Sequence, residues 1–329
     1  MAYIGLPGVR NFFDASFETV GWTMTGAELA DDLRGSAYHD VIRGFAGNDL
    51  IYGGPTSINV QLGDMLDGGA GNDTIYGRTG NDTVLGGTGN DTLNGDMGND
   101  VFRAGDGDDK IYDVSPTLNS VLVNGGNDII WCGNGTDTVV AGSGNDKVYG
   151  EAGNDRLTGM ENDDLLDGGL GNDKLYGGLG KDTLIGGDGL DSLSGDGGND
   201  ILRGGKGVDR LYGDGVPFGP PGTGRDTFDF NSALEAASDN IIDFRRGFDK
   251  IDLLDIDAKA GTPLNDRFIF IGAAAFHHIK GELHYQKLDR PGTSSDQTIL
   301  SADVNGDAVA DFKIFVTGLH TLGATDFVL

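Results

Sequence analysis

The chain is poor in the residues that build several common kinds of site. It has one cysteine, Cys132, so it has no internal disulfide and no cysteine-based zinc cluster. Proline occurs only 8 times, which excludes a collagen-like triple helix despite the abundance of glycine. Lys and Arg together number 23 against 52 Asp and Glu, a formal charge of −29. Phosphate contacts need clustered basic residues, so nucleic acid is not an expected partner. An anionic membrane surface would repel the chain for the same reason. No apolar run approaches the roughly 18 residues of a membrane span. The first 30 residues lack a basic stretch followed by an apolar one, so no cleaved N-terminal secretion signal is expected. A partner carrying positive charge is the natural expectation, and a metal cation is the simplest.

Glycine is abundant: 59 of 329 residues, more than twice the ordinary share. It is placed with a nine-residue period. Residues 68–76 read GGAGNDTIY, 77–85 GRTGNDTVL and 86–94 GGTGNDTLN, and the series continues through 104–112. A second unbroken series runs from 123–131, VNGGNDIIW, to 204–212, GGKGVDRLY. Earlier copies stand at 35–43 and 44–52, and interrupted ones occupy 53–67 and 213–229. The template is G-G-x-G-x-D-x-U-x, with U a large apolar residue. Position eight is Ile, Leu, Val or Phe in all 19 copies. A flexible linker has no reason to hold a buried-type residue in register.

Position six is Asp in every copy. These are Asp40, Asp49, Asp64, Asp73, Asp82, Asp91, Asp100, Asp109, Asp128, Asp137, Asp146, Asp155, Asp164, Asp173, Asp182, Asp191, Asp200, Asp209 and Asp226. The spacing predicts a short strand at x-U-x with U inward, because strand side chains alternate. The other six residues predict a turn, with glycine supplying positive φ or close approach. Two copies make one coil, and coils stack at about 4.8 Å. The turn offers backbone carbonyls and a carboxylate, all hard oxygen donors. Oxygen ligands in flexible geometry suit Ca²⁺ better than Mg²⁺, and zinc would want His or Cys.

These residues resemble the RTX (repeats-in-toxin) hemolysin-type calcium-binding proteins, whose nonapeptide signature they match. The resemblance covers 35–229 and implies an all-β, right-handed parallel β-roll with Ca²⁺ between turns. It also implies backbone ligands. In that family one turn offers the carbonyls of positions two and four, and the next offers those of positions one and three. Carried over, one site joins Gly169, Gly171 and Asp173 to Gly186, Asp188 and Asp191. The corresponding positions elsewhere include Gly69, Gly71, Gly87, Gly89, Gly178, Gly180, Gly187, Gly189, Gly195, Gly205 and Gly207. About 15 divalent ions would cancel the charge of −29. The metal-free chain is therefore expected to be largely unfolded, with Ca²⁺ folding it.

After residue 229 the glycine period stops. DTFDF (226–230), NIIDFRRGFDKIDL (240–253) and DVNGDAVADFKI (303–314) resemble the C-terminal domain of serralysin-type proteases and the R-modules of alginate epimerases. The terminal Asp326-Phe327-Val328-Leu329 looks like the C-terminal signal of type I (ABC transporter) secretion. The expected organisation is an N-terminal cap (1–34), the β-roll (35–229) and a β-rich capping and secretion domain (230–329). Strands are expected over 226–230, 240–244, 250–254, 267–271, 298–300 and 312–316. Asp303-x-Asn305-x-Asp307-x-x-x-Asp311 has EF-hand-like oxygen spacing, but Ile314 stands where the bidentate acid belongs. Asn305-Gly306 equally signals a hairpin.

No H-E-x-x-H motif occurs, and the repeat accounts for the paired Asp residues, so no enzyme is expected. His277, His278 and His284 allow a weak zinc site or ordinary solvated histidines. Tyr52, Tyr76, Tyr112, Tyr149, Tyr176, Tyr212 and Trp131 occupy the outward position nine. They suit either strand propensity or contact with an extracellular polysaccharide. The three insertions precede odd-numbered copies, which places them on one edge unless Asp113–Leu122 hides a further copy. Phe12, Phe13, Phe17 and Trp22 suit a cap over the open end of the roll. The functional expectation is a secreted, extracellular calcium-binding module with an adhesive or matrix-interacting role. The alternatives are a toxin-like or pore-forming protein and a relative of the proteases or epimerases that keeps some activity.

Overall fold

A computed structural model describes all residues except Thr19, 56–61, 114–124, 216–223, Ala260, 262–264 and 292–294. The chain forms two compact units, Met1–Leu170 and Gly171–Leu329. Both are parallel β-solenoids, in which successive strands alternate between two sheets. Among the described residues there is no α-helix, only the 3₁₀ turn Ala324–Asp326. None of the described helical segments is long and apolar enough to cross a membrane.

In the first unit, Met65–Ala70, Thr83–Thr88, Val101–Asp106 and Ile129–Asn134 are neighbours in one sheet. Thr74–Thr79 and Thr92–Met97 pair in the other. Position eight points inward from both. Met24, Ile42, Leu66, Val84, Phe102, Ile130, Val148 and Leu166 form one continuous row, all at 0% exposure. Leu33, Ile51, Ile75, Leu93, Ile111, Val139 and Leu157 form the facing row. Each rung adds only two large side chains to this core. No rung can bury its apolar surface alone, so stability comes from stacking.

The strands are longer than the x-U-x expectation. Most run six or seven residues, as in Thr183–Gly189, because pairing continues past x-U-x into the following turn. Position-two glycines carry that pairing: Gly69, Gly87, Gly105 and Gly133 lie in register with φ of 105, 116, 114 and 105°. A Cβ built on these four glycines would meet the previous rung's carbonyl, whereas Phe45, Arg78, Asp96, Glu151, Met160 and Asp196 hold the same position at φ of 65–95°.

Residues 1–34 add rungs. Thr23–Thr25 pairs with Val41–Ala46, and Asp32–Arg34 with Leu50–Tyr52. Tyr3 and Phe13 take the inward positions of the outermost rungs and stack at 4.5 Å. Phe12 and Phe17 are exposed instead.

The insertions themselves lie outside the described residues, but their flanking strands locate them. In the first unit, Leu50–Tyr52 leads to Met65–Ala70 and Lys110–Tyr112 leads to Ile129–Asn134. Both connections run from the second sheet back to the first, hence along one edge. Val101–Asp106 pairs directly with Ile129–Asn134, so no further rung comes between them. In the second unit, the insertion between Arg210–Tyr212 and Thr227–Asp229 joins the sheets in the same sense.

The second unit continues the pattern beyond residue 229. Leu184, Leu202, Phe228, Ile251 and Phe327 form one inward row, and Leu175, Leu193, Leu211, Ile241 and Val316 the other. The terminal strand Phe327–Val328 thus closes the first row. Phe312–Thr317 then turns the second sheet antiparallel, through Gln297–Asp303 to Glu282–Leu288. The last of these is a strand that the sequence did not announce.

Gly205 has φ 96°, and a Cβ there would lie 2.1 Å from the Gly187 carbonyl oxygen. Gly247 has φ 82° with nothing within 4 Å. Gly247→Ala is expected to cost about 1 kcal/mol, the left-handed backbone term alone. Gly205→Ala must also push neighbouring rungs apart, so its thermal unfolding midpoint is expected several degrees lower than that of Gly247→Ala. Equal midpoints would show that the rungs are not packed this closely.

Candidate metal centres

The turns bring the position-six aspartates into files along the edges of each unit. Each Asp amide donates to the Oδ1 of the Asp one rung on. In the first unit one file runs Asp40, Asp64, Asp82, Asp100, Asp128, Asp146 and Asp164. The other runs Asp31, Asp49, Asp73, Asp91, Asp109, Asp137 and Asp155. In the second unit the files are Asp173, Asp191, Asp209 and Asp239, and Asp182, Asp200, Asp226 and Asp249. The donor distances stay mostly near 2.7–2.9 Å, as in Asp64 to Asp82 (2.7 Å) and Asp182 to Asp200 (2.9 Å).

All these aspartates are buried, at 5% exposure or less. Oδ1 accepts the amide of the neighbouring rung, but in many of them Oδ2 has no donor, whereas in Asp31, Asp40 and Asp249 it accepts the amides of Ala27, Ser36 and Arg245. Oδ2 is buried without a hydrogen-bond partner in Asp49, Asp73, Asp82, Asp91, Asp100, Asp109, Asp128, Asp137 and Asp146. The same holds for Asp191, Asp200, Asp209 and Asp226 in the second unit. Native proteins rarely leave buried polar atoms unpaired, and a regular series of them calls for a common partner.

The surroundings of Oδ2 define that partner. A Cβ added to Gly68 would lie 2.4 Å from Asp73 Oδ2 and 2.7 Å from the Gly86 carbonyl oxygen. At Gly186 the values are 2.5 Å to Asp191 Oδ2 and 2.4 Å to the Gly204 oxygen. A carboxylate oxygen and a backbone carbonyl from the next rung thus converge beside each of these position-one glycines. Every donor is a hard oxygen, which fits a calcium-type cation and not zinc. Cys132 is buried at position one of its copy, where burial first and the nearby carboxylates of Asp137, Asp155 and Asp109 next push its thiol pKa up.

Burial also holds the carboxyl pKa values above the usual 3.8. It pushes Asp64, Asp100 and Asp200 to about 8, and Asp49, Asp91, Asp137, Asp146, Asp191 and Asp226 to about 7. Asp82 and Asp109 reach about 6. Neighbouring aspartates raise most of these further, and the donated amides oppose the rise.

The structure brings Gly171, Asp173, Asp188 and Asp191 together: the Asp173 amide donates to Asp191, and the Gly171 amide donates to the Asp188 carbonyl at 2.9 Å. Gly169 lies in Leu165–Leu170, the last strand of the first unit. Sequence reading missed Asp31, Asp239 and Asp249, which extend the files. Each keeps the Asp-x-apolar triplet; Asp31 also keeps the position-one glycine, Gly26, whereas Asp239 and Asp249 lack it. It also missed Arg245, whose Nη1 meets Asp214 at 2.7 Å and whose amide donates to Asp249. A tethered guanidinium there supplies positive charge at the last turn of that edge.

The other candidates are placed differently. Among the described residues, no group containing His277, His278 or His284 gathers three metal-ligating atoms. His277 bonds Glu282 at 2.8 Å, and His284 packs on Phe276. The Asp303 carboxylate accepts amides of Asn305, Gly306 and Ala308, turning the chain between two antiparallel strands. This is the hairpin reading of that loop.

The model of the peptidase M10 serralysin C-terminal region matches residues 44–329. The chain belongs to this serralysin C-terminal family. The RTX calcium-binding nonapeptide repeat also matches, over residues 25–55. The family's repeat is a calcium-binding one, in agreement with the oxygen donors above. Among solved structures, the AlgE6R3 subunit of the Azotobacter vinelandii mannuronan C5-epimerase is similar at 26% identity, covering 52% of this chain and 80% of that one, with a TM-score of 0.24. No curated protein sequence matches.

The raised carboxyl values set a pH dependence. Without metal, their contribution to stability is fully present below the unfolded value near 4 and is lost as pH rises through about 6–8. Metal-free protein is therefore expected to show more β signal at pH 5 than at pH 8.5, read by circular dichroism. A stronger β signal at pH 8.5 would contradict this electrostatic account of the files.

Proposed function

We propose that this serralysin C-terminal family member is a calcium-folded extracellular module without catalytic activity of its own. The series of buried, partnerless Oδ2 atoms carries this reading. Calcium between rungs would take Oδ2 from one file member and the carbonyl oxygens of the neighbouring turn. The ligands would be the position-six aspartates from Asp49 to Asp226, joined by Asp239, whereas both oxygens of Asp31 and Asp40 already accept hydrogen bonds and Oδ2 of Asp249 accepts the Arg245 amide. When bound, the ion supplies the charge that the stacked carboxylates lack. The chain's own residues orient those oxygens and exclude water from the row between them.

Export through a type I ABC apparatus follows from the same chemistry. At cytosolic calcium the carboxylates repel one another and the chain stays extended. Extracellular calcium, in the range that such modules bind (roughly 10⁻⁴–10⁻³ M), would fold it on arrival. The family membership and the acidic composition support this reading. An adhesive or matrix-interacting role is the use proposed for the folded module.

Contact with polysaccharide is supported less well. Tyr52, Tyr76, Tyr112, Tyr176 and Tyr212 do share one sheet type, as their spacing implies. However, Tyr52 and Tyr76 stack on each other at 5.0 Å, and Arg78 lies 5.1 and 5.0 Å from their ring centres. Trp131 is likewise held between Arg103 and Tyr149. The ring faces of Tyr52, Tyr76 and Trp131 are thus engaged by neighbours of the same sheet.

Calorimetric titration of the metal-free chain is expected to show on the order of ten or more Ca²⁺ ions. Asp191→Asn is expected to remove one or two of them and to cost about 2–3 kcal/mol in calcium. Co-expressed with a type I exporter, the chain is expected in the medium, and removal of Asp326–Leu329 should retain it in the cell. Absence of calcium uptake would overturn the whole reading; retention of the intact chain would overturn its export component alone.

A further inference from the structure

One position in the first unit breaks the repeat in a chemically specific way. Position one is a small residue along the files: Gly77 and Gly95 precede Asp82 and Asp100 on one edge. The next position one on that edge is Asp113, which follows Lys110–Tyr112. A small residue is required there because the same-rung Oδ2 fills the space. A Cβ on Gly95 would lie 2.0 Å from Asp100 Oδ2, and it would also lie 2.7 Å from Asp113 Oδ1. The Asp113 carboxylate therefore reaches the place where the rung's own Oδ2 points.

Asp100, Asp113 and Asp128 each offer an oxygen within 4.8 Å of the other two. Ligands on opposite sides of a Ca²⁺ ion stand at most about 5 Å apart, so one ion can touch all three. All three side chains are only 1% exposed. Apart from the contact between the Asp113 and Asp128 carboxyls, both Asp113 oxygens are buried without a hydrogen-bond partner, and so is Oδ2 of Asp100 and of Asp128. Among the described residues no Lys, Arg or His forms an ion pair with any of them. An ordinary rung contributes two file carboxylates, whereas this one contributes a third from outside the nonapeptide pattern.

We propose that Asp100, Asp113 and Asp128 form a three-carboxylate cation site that binds more tightly than the ordinary rungs and fills first. The inference rests on the calcium reading above and adds a rank order to it. Carboxylate count tunes calcium affinity, and the added charge favours a trivalent oxygen-seeking ion still more. The site also adjoins the longest insertion, at the rung where the chain must return from residues outside the repeat. Filling it first would fix the register of Val101–Asp106 against Ile129–Asn134 before the weaker rungs load.

Terbium provides the test, because Trp131 stands three residues after Asp128 and can sensitise its emission. The probe is Tb³⁺ alone, titrated into metal-free full-length protein, with calcium calorimetry in parallel. The wild type is expected to show one equivalent binding at least about tenfold tighter than the rest, seen as tryptophan-sensitised emission. Asp113→Asn keeps the volume and Asp113→Gly restores the repeat; both are expected to lose the tight class and keep the remaining calcium equivalents. Trp131→Phe is expected to lose the emission and keep the tight calcium class. A tight class that survives in both Asp113 variants, or a wild type whose equivalents are all alike, overturns this proposal while leaving the calcium reading intact. No calcium uptake at all overturns both.

Discussion

The structure depends on a carboxylate that is bonded on one side only. The file aspartates accept the amide of the preceding rung at Oδ1, and many, such as Asp82 and Asp91, leave Oδ2 buried without a donor beside a glycine and a carbonyl. The first interaction sets the register between rungs. The second leaves a buried charge that must be neutralised by a proton or a cation, since desolvation of an unpaired carboxylate is costly. The apolar rows do not escape this constraint. Phe102 and Leu184 can stack on their neighbours only if the files beside them can close up.

The glycines serve the same arrangement. Position-one glycines leave room for Oδ2, and position two takes a positive φ that glycine adopts most easily, although Phe45, Arg78, Asp96, Glu151, Met160 and Asp196 adopt it too. The exceptions are informative because the replacement brings charge. Asp113 adds a negative group where a small residue is the rule, and Arg245 puts a positive one beside Asp214 and the end of a file. In the second unit the last turn is thus compensated by the chain itself, whereas the inner rungs depend on what the solution supplies.

Much of this was legible in the residues. An Asp and an apolar residue held two positions apart over a nine-residue period imply an inward row flanked by a carboxylate file, and Asp40 through Asp226 lie in such files. The insertions fall on one kind of connection, as the parity of their copies implies. Three features were less visible. Strand length was underestimated because the position-two glycines, which resemble turn residues, pair across rungs. Asp239 and Asp249 continue the files with only the weak Asp-x-apolar triplet to mark them, and Asp31 adds to it only the single position-one Gly26. Glu282–Leu288 carries no clean alternation, and its partner Gln297–Asp303 in the antiparallel sheet determines its position. The likeness to the serralysin C-terminal domain was carried by short blocks after residue 226, yet the family model extends back to residue 44. Roll and terminal region share the inward rows of the second unit, which is why no sharp break separates them there.

The central claim is that cations between rungs hold together an acidic stack that otherwise repels itself at neutral pH. Far-ultraviolet circular dichroism and small-angle scattering of the full chain at pH 7.5, with chelator and then with millimolar calcium, test it most directly. The account predicts an expanded chain with little β signal that becomes compact and β-rich on adding calcium. A chelated chain already as compact and as β-rich as the loaded one would contradict it.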